Sequence, residues 1–222
     1  MPEDTIIVAA KPLSSDEAIG NPEHDDYPLL KGRERMMEAV VRGARGQAFT
    51  DMCGRWEGRL KDVLDLPLIN NFRRAIFVAT LNATMRYAHE LEDTLHCKDD
   101  GPVECGKQLR AFVLQACLEP PFALVGYQPR LAETLASLGQ LRIVDMDIQH
   151  IGQERCGVVV HPSAETDEAL DGCGSAFVTG TTLVNATIEQ FLSLPVPTVF
   201  YGVTIAGPAK VLGLKRFCTQ AR

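Results

Sequence analysis

The rhythm of residues 122–207 limits what this chain can fold into. FALVGY (122–127), LRIVDMD (141–147), CGVVVHP (156–162), SAFVTG (175–180) and TVFYGVTIAG (198–207) are short, almost continuously apolar runs. PRLAETLASLG (129–139) and TTLVNATIEQFLSL (181–194) stand between them with helical character, and PAKVLGL follows the last. Leu131, Leu135 and Leu138 share one helical face, and Gly139 is placed to cap that helix. Strands alternating with helices imply βαβ crossovers and a parallel sheet. Strands in such a sheet are buried on both faces, which matches apolar runs without a polar alternation. Residues 118–222 are expected to form an α/β domain on a parallel sheet.

Residues 1–117 read differently, as a small α+β domain. TIIVAA (5–10) predicts a strand, GNPEHDDYPLLKG (20–32) a loop, and GQAFTD (46–51) a short extended segment ending in Asp51. GRERMMEAVVRGA (32–44) predicts a helix, with Met36, Val40 and Ala44 on one face. NNFRRAIFVATLNATMRYAHELED (70–93) has so broad an apolar belt that its helix should be buried on most sides. Asn82, Arg86 and Glu90 nevertheless form a polar row along it. An unpaired buried polar group costs about 1–3 kcal/mol, so the row faces solvent, joins an internal network or lines a cleft. In TLHCKDDGPVEC (94–105), Asp99 or Asp100 caps a helix with Pro102 in its first turn. His96 and Cys97 precede that helix and Cys105 sits in its first turns, where the helix dipole favours a thiolate or a bound anion.

Bulk properties exclude some classes. A net charge of −7 with no basic run argues against nucleic acid as a partner. No apolar stretch reaches the ~20 residues of a membrane helix, and MPEDTIIVAA does not read as a secretory signal. A cytoplasmic protein without membrane association is expected. There are seven cysteines and no CxxC, which predicts mostly free thiols.

In an open parallel sheet, ligands bind beyond the carboxyl ends of the strands. Those ends carry Gly126 and Tyr127, then Asp145, then Thr179, Gly180, Thr181 and Thr182. The TGTT turn has hydroxyls, backbone N–H groups and a glycine with which to hold an anion, or the same residues cap the helix. Asp145 lies where a ribose-binding acid would fall, but GYQPR is not GxGxxG, so NAD is not expected. Cys97 and Cys105 are too far apart for a zinc knuckle, and neither GxSxG nor HExxH is present.

FALVGYQPRL, LRIVDMDIQHIGQ, VTGTTLVNAT and FYGVTIAGPAKVLGLKRFC together resemble the "putative heavy-metal chelation" family of uncharacterised prokaryotic proteins. DYPLLKGRE, GQAFTD, ATLNATMR and HCKDDGPVEC resemble the domain that precedes it there. The resemblance implies an enolase-N-terminal-like α+β domain joined to a Rossmann-like domain, with a cleft between them. It places Asn82 and Asn185 at that cleft and implies handling of a metal or metal chelate. Only one or two strands fit before the 20–32 loop, so the first sheet is expected to be shortened or completed by a partner chain, as in a homodimer.

The leading expectation is a two-domain protein that binds a small anionic or metal-chelating ligand in the interdomain cleft. Arg86 would pair with an anionic group and the TGTT turn would hold another. Asp51, Asn82, Gly126, Tyr127, Asp145 and Asn185 are counted with the wall. His96, Cys97 and Cys105 would ligate a transition metal. The alternative is a transferase or lyase using a nucleotide-type cofactor such as S-adenosylmethionine, with Asp145 on the ribose. An accessory protein with inert cysteines is a third reading.

Overall fold

The computed structural model describes residues 6–222. In chain order the elements are β1 (Ile7–Pro12), α1 (Ser15–Ile19), α2 (Pro28–Lys31), β2 (Arg35–Val41), β3 (Ala44–Thr50), β4 (Trp56–Arg59), α3 (Leu60–Leu64), α4 (Asn71–Tyr87) and α5 (Gly101–Gln115). They continue with β5 (Phe122–Val125), α6 (Pro129–Leu138), β6 (Leu141–Asp145), β7 (Glu154–Arg155), β8 (Val158–Pro162) and α7 (Thr166–Leu170). Last come β9 (Ser175–Thr179), α8 (Thr181–Val184), β10 (Thr198–Tyr201), α9 (Ala206–Leu212) and β11 (Arg216–Phe217). Thr5, the first residue of the expected opening strand, lies outside the described residues.

The first module is a four-stranded antiparallel sheet of order β3-β2-β1-β4, built wholly from this chain. The helix expected over 32–44 is instead the β2–β3 hairpin. Arg42 and Gly43 form its two-residue turn, both with positive φ (50° and 86°), the geometry that matches strand twist. Met36, Val40 and Ala44 do fall at helical spacing, but Met37, Ala39 and Val41 alternate with them and point together into the core beneath α4. The period of two therefore prevails over the apparent period of four. The hairpin also supplies strands beyond the one or two expected before the 20–32 loop, so four strands of the sheet come from this chain.

The second module is a seven-stranded sheet of order β11-β10-β9-β5-β6-β8-β7, parallel except for the β7–β8 pair. The central strands bury both faces. Phe122 and Leu124 pack with Leu109 and Val113 of α5 and Leu131 and Leu135 of α6. Ala123 and Val125 point the other way, toward Phe191 and Ala209. The small α+β unit followed by a Rossmann-like sheet agrees with the fold class expected. The long helix expected over 181–194 breaks after Val184. Thr182 Oγ1 bonds the carbonyl of Thr179, Thr187 Oγ1 that of Thr182, and Ala186 turns left-handed at φ 58°. Hydroxyls that bond nearby backbone compete with the helix here. A short 3-10 turn, Ile188–Phe191, follows.

Helix α4 joins the modules, packing on β2 and β3 from one side and on α8 and α9 from the other. Glycines on both flanks let it approach. A Cβ on Gly46 would lie 2.2 Å from the Ala83 nitrogen, and one on Gly207 2.8 Å from Asn82 Oδ1. Asn82, fully buried, donates from Nδ2 to the carbonyls of Gln47 (2.9 Å) and Val203 (3.2 Å) and accepts at Oδ1 from Gly207 N–H (2.7 Å). Asn82→Leu strands these backbone groups and is expected to cost at least about 2 kcal/mol, measured by urea denaturation. Gly46→Ala should cost a similar amount, about 1–3 kcal/mol, because overpacking displaces α4 from β3.

Candidate functional site

Sheet order fixes where a ligand fits. The chain enters the parallel sheet at β5, builds outward through β6 and β8, and returns to place β9 on the other side of β5. This is the doubly wound order with its switch point between β5 and β9, where the following loops diverge and leave a crevice. A cavity of about 530 Å³ lies there, closed by residues of the first module. Gly126, Tyr127 and Asp145, with Thr179, Thr181 and Thr182, line it from the parallel sheet; Tyr27, Glu34, Phe49, Asp51 and His96 line it from the first module.

The turn after β5 is tightly held. Gly126 has φ 85°, and a Cβ there would lie 2.7 Å from Thr179 Cγ2, so glycine is required. Tyr201 Oη donates to the Gly126 carbonyl at 2.5 Å, and Tyr127 N–H donates to Asp145 Oδ2 at 2.7 Å. Asp145 also accepts from Asp147 N–H (2.8 Å) and pairs with His150 Nδ1 (3.1 Å). The His150 ring meets Tyr127 edge-on with centroids 5.0 Å apart. Burial alone would raise the Asp145 carboxyl, but the bonds from His150 and the two N–H groups outweigh it and hold it below its ordinary value. The same contact raises the His150 imidazole.

His96 faces this wall from the first module. Its Nδ1 lies 3.3 Å from the Ala18 carbonyl, so that nitrogen carries the proton. Burial pushes the ring down to about 4, leaving it neutral, although its backbone contacts to Ala18 and Cys97 oppose that shift. His96 and the TGTT turn thus share one cavity, which the sequence could suggest only through the resemblance.

Other expected site residues fall elsewhere. Asn82 is in the α4 junction with its donors and acceptor engaged, not on the cavity wall. Arg86 bonds the Glu92 and Arg222 carbonyls and Thr94 Oγ1, in a separate depression. Gly180 packs beneath the turn, where a Cβ would meet the Ile205 nitrogen at 2.7 Å. Asn185 lines the cavity and accepts from Asn71 Nδ2 (3.3 Å), which also bonds Asp51 (2.6 Å). Cys97 and Cys105 are buried outside the cavity. Burial raises both thiols, so the helix dipole does not produce a thiolate. All seven cysteines are free. Among the described residues no group of three or more His, Cys, Asp or Glu side chains could hold a metal ion. No described helix is long and apolar enough to cross a membrane.

Sequence reasoning passed over Glu34, His150 and Tyr201. Glu34 was hidden in a segment that reads as a helix surface, and His150 stands in a polar loop. Only its position five residues after Asp145 could have marked it.

Residues 112–213 match the model of the DUF364 family, described as "Putative heavy-metal chelation", so the resemblance read from the sequence holds there. Two crystal structures of proteins of unknown function from that family are similar in fold. One, from Pyrococcus horikoshii, has 14% identity and TM-score 0.54, covering 78% of this chain and 69% of the other. The other, from Desulfitobacterium hafniense DCB-2, has 13% identity and TM-score 0.55, covering 81% and 72%. No curated protein matches.

The Asp145–His150 pair sets a pH dependence. The depressed Asp145 stabilises the fold above its unfolded value of 3.8, and this is lost as pH falls through its folded value. The raised His150 stabilises below its unfolded value of 6.5, and this is lost as pH rises through its folded value. Asp145→Asn should therefore destabilise more at about pH 6 than at about pH 8 in urea titrations, and should lower the His150 pKa followed by NMR.

Proposed function

We propose that this protein binds a small organic molecule or a preformed metal chelate in the cavity between its modules. The cavity's position at the switch point carries the reading, because that crevice is where doubly wound sheets take their ligands. Its volume of about 530 Å³ suits a drug-sized molecule. The family description points to metal. The side chains do not fit a bare heavy-metal ion: among the described residues no three or more His, Cys, Asp or Glu groups gather to hold one, and burial raises the nearby Cys97 and Cys105 thiols, keeping them protonated. A metal that reaches this cavity therefore does so with its donors supplied by an organic chelator, while the protein contributes shape and hydrogen bonds.

A second reading has support of its own. The β8-β6-β5-β9-β10-β11 order is that of dinucleotide-binding sheets, which favours a nucleoside-type cofactor and a transferase or lyase. Asp145 would then face the ribose with three of its acceptor positions already used.

The two are separated by thermal shift with nickel(II)–bipyridine, nickel(II) alone and S-adenosylmethionine. The chelate is expected to raise Tm by several degrees and the free ion to leave it unchanged; Thr181→Val should weaken the chelate's effect. Stoichiometric uptake of the free ion with no response to the chelate would refute the proposal. A shift with S-adenosylmethionine alone would favour the second reading.

A further inference from the structure

The cavity wall is unevenly charged. Four carboxyls line it: Glu34, Asp51, Asp145 and Asp147. Against them stand Arg33, exposed, and His150, committed to Asp145. His96 is neutral. Three of the carboxyls have partners. Asp145 has His150 and two backbone N–H groups, Asp51 has Asn71, and Asp147 accepts from Gln149 N–H at 3.0 Å. Glu34 is the exception. Its carboxyl is partly buried at the mouth of β2 and has no hydrogen-bond or ion-pair partner among the described residues.

A second, independent feature lies on the same wall. Tyr27, 3% exposed, has a buried hydroxyl with no partner. Native folds seldom leave such groups unsatisfied; the Tyr27 hydroxyl is closed off, whereas the Glu34 carboxyl lines the cavity and is the group a ligand can reach. The groups that act on Glu34 are Asp145, Asp147 and His150 from the parallel sheet and Asp51 from β3. Burial and the three aspartates push its carboxyl up to about 7, with His150 opposing. A neighbouring cation would relieve both effects.

We propose that the cavity selects a small cation, its positive group seated against the Glu34 carboxyl and its body along the Tyr127 ring. This rests on the small-molecule reading and reverses the anionic part of the sequence expectation. An organic ammonium and a positively charged chelate share the required chemistry. Binding ionises Glu34, so affinity rises as pH climbs through about 7 and a proton is released on binding.

The test is calorimetry with four probes: tryptamine (cation), tryptophol (neutral), indole-3-acetate (anion) and nickel(II)–bipyridine (chelate cation). At pH 8, tryptamine should bind about tenfold more tightly than tryptophol, in line with a charge-assisted bond, and indole-3-acetate most weakly. Glu34→Gln should abolish the preference and flatten its change between pH 6 and pH 8, with Tm confirming that the variant folds. The chelate outranking tryptamine would keep the proposal and assign the cation to a metal complex. Equal binding of the three indoles, a preference for the anion, or an unchanged preference in Glu34→Gln would overturn it and leave the small-molecule reading intact. No binding by any probe would count against both.

Discussion

One asparagine holds the two modules in register. Asn82 is an apolar helix's single fully buried amide, and it bonds backbone groups of β3 on one side and of the segment after β10 on the other. Backbone groups at such a junction have no water to turn to, so each must be met by protein. Phe49 N–H donates to Thr204 Oγ1 at 2.9 Å beside it, continuing the same seam. The cavity exists because this seam fixes the end of β3 opposite the loops after β5 and β9. Phe49 and Asp51 reach the cavity from one edge of the seam, Thr204 and Gly202 from the other.

The site is assembled from elements that are each locally over-determined. Gly126 is held by its left-handed backbone, by Thr179 and by Tyr201. Asp145 is spent on the turn after β5 and on His150, so it shapes the wall as well as charging it. His96 is placed by its N–H bond to Gln47 Oε1 (2.7 Å), and Gln47 in turn donates to Glu38 (2.8 Å). Such nested bonds keep the wall in place without a ligand, so little ordering remains to be done on binding.

Much of this was readable in the sequence, for identifiable reasons. Fully buried parallel strands leave a strong local signal, so FALV, LRIVD, SAFVT and TVFY stood out, and the sheet's ligand-binding edge followed. The polar row on α4 correctly announced a group in need of partners. It could not name them, because Asn82's partners lie as much as 125 residues away in the chain. The same limit hid the fate of Arg86, whose acceptors include the carbonyl of Arg222. The hairpin at 35–50 was misread because its residues satisfy both periods at once, and only Arg42-Gly43 discriminates. The helix after β9 failed where threonine hydroxyls outcompete the helical ladder. Glu34 was invisible because a carboxyl gains meaning only from the dielectric and charges around it.

The wedge of α4 between two glycine notches has a mechanical corollary. Rotating one module against the other would tear the amide seam and open voids at Gly46 and Gly207 together, so a hinge is a costly way in. A ligand that enters the cavity would then pass its rim, where Met146 and Ile148 stand 56% and 67% exposed on the loop after β6. On that geometry a bound ligand would leave the modules as they stand, with an apolar lip at the entrance.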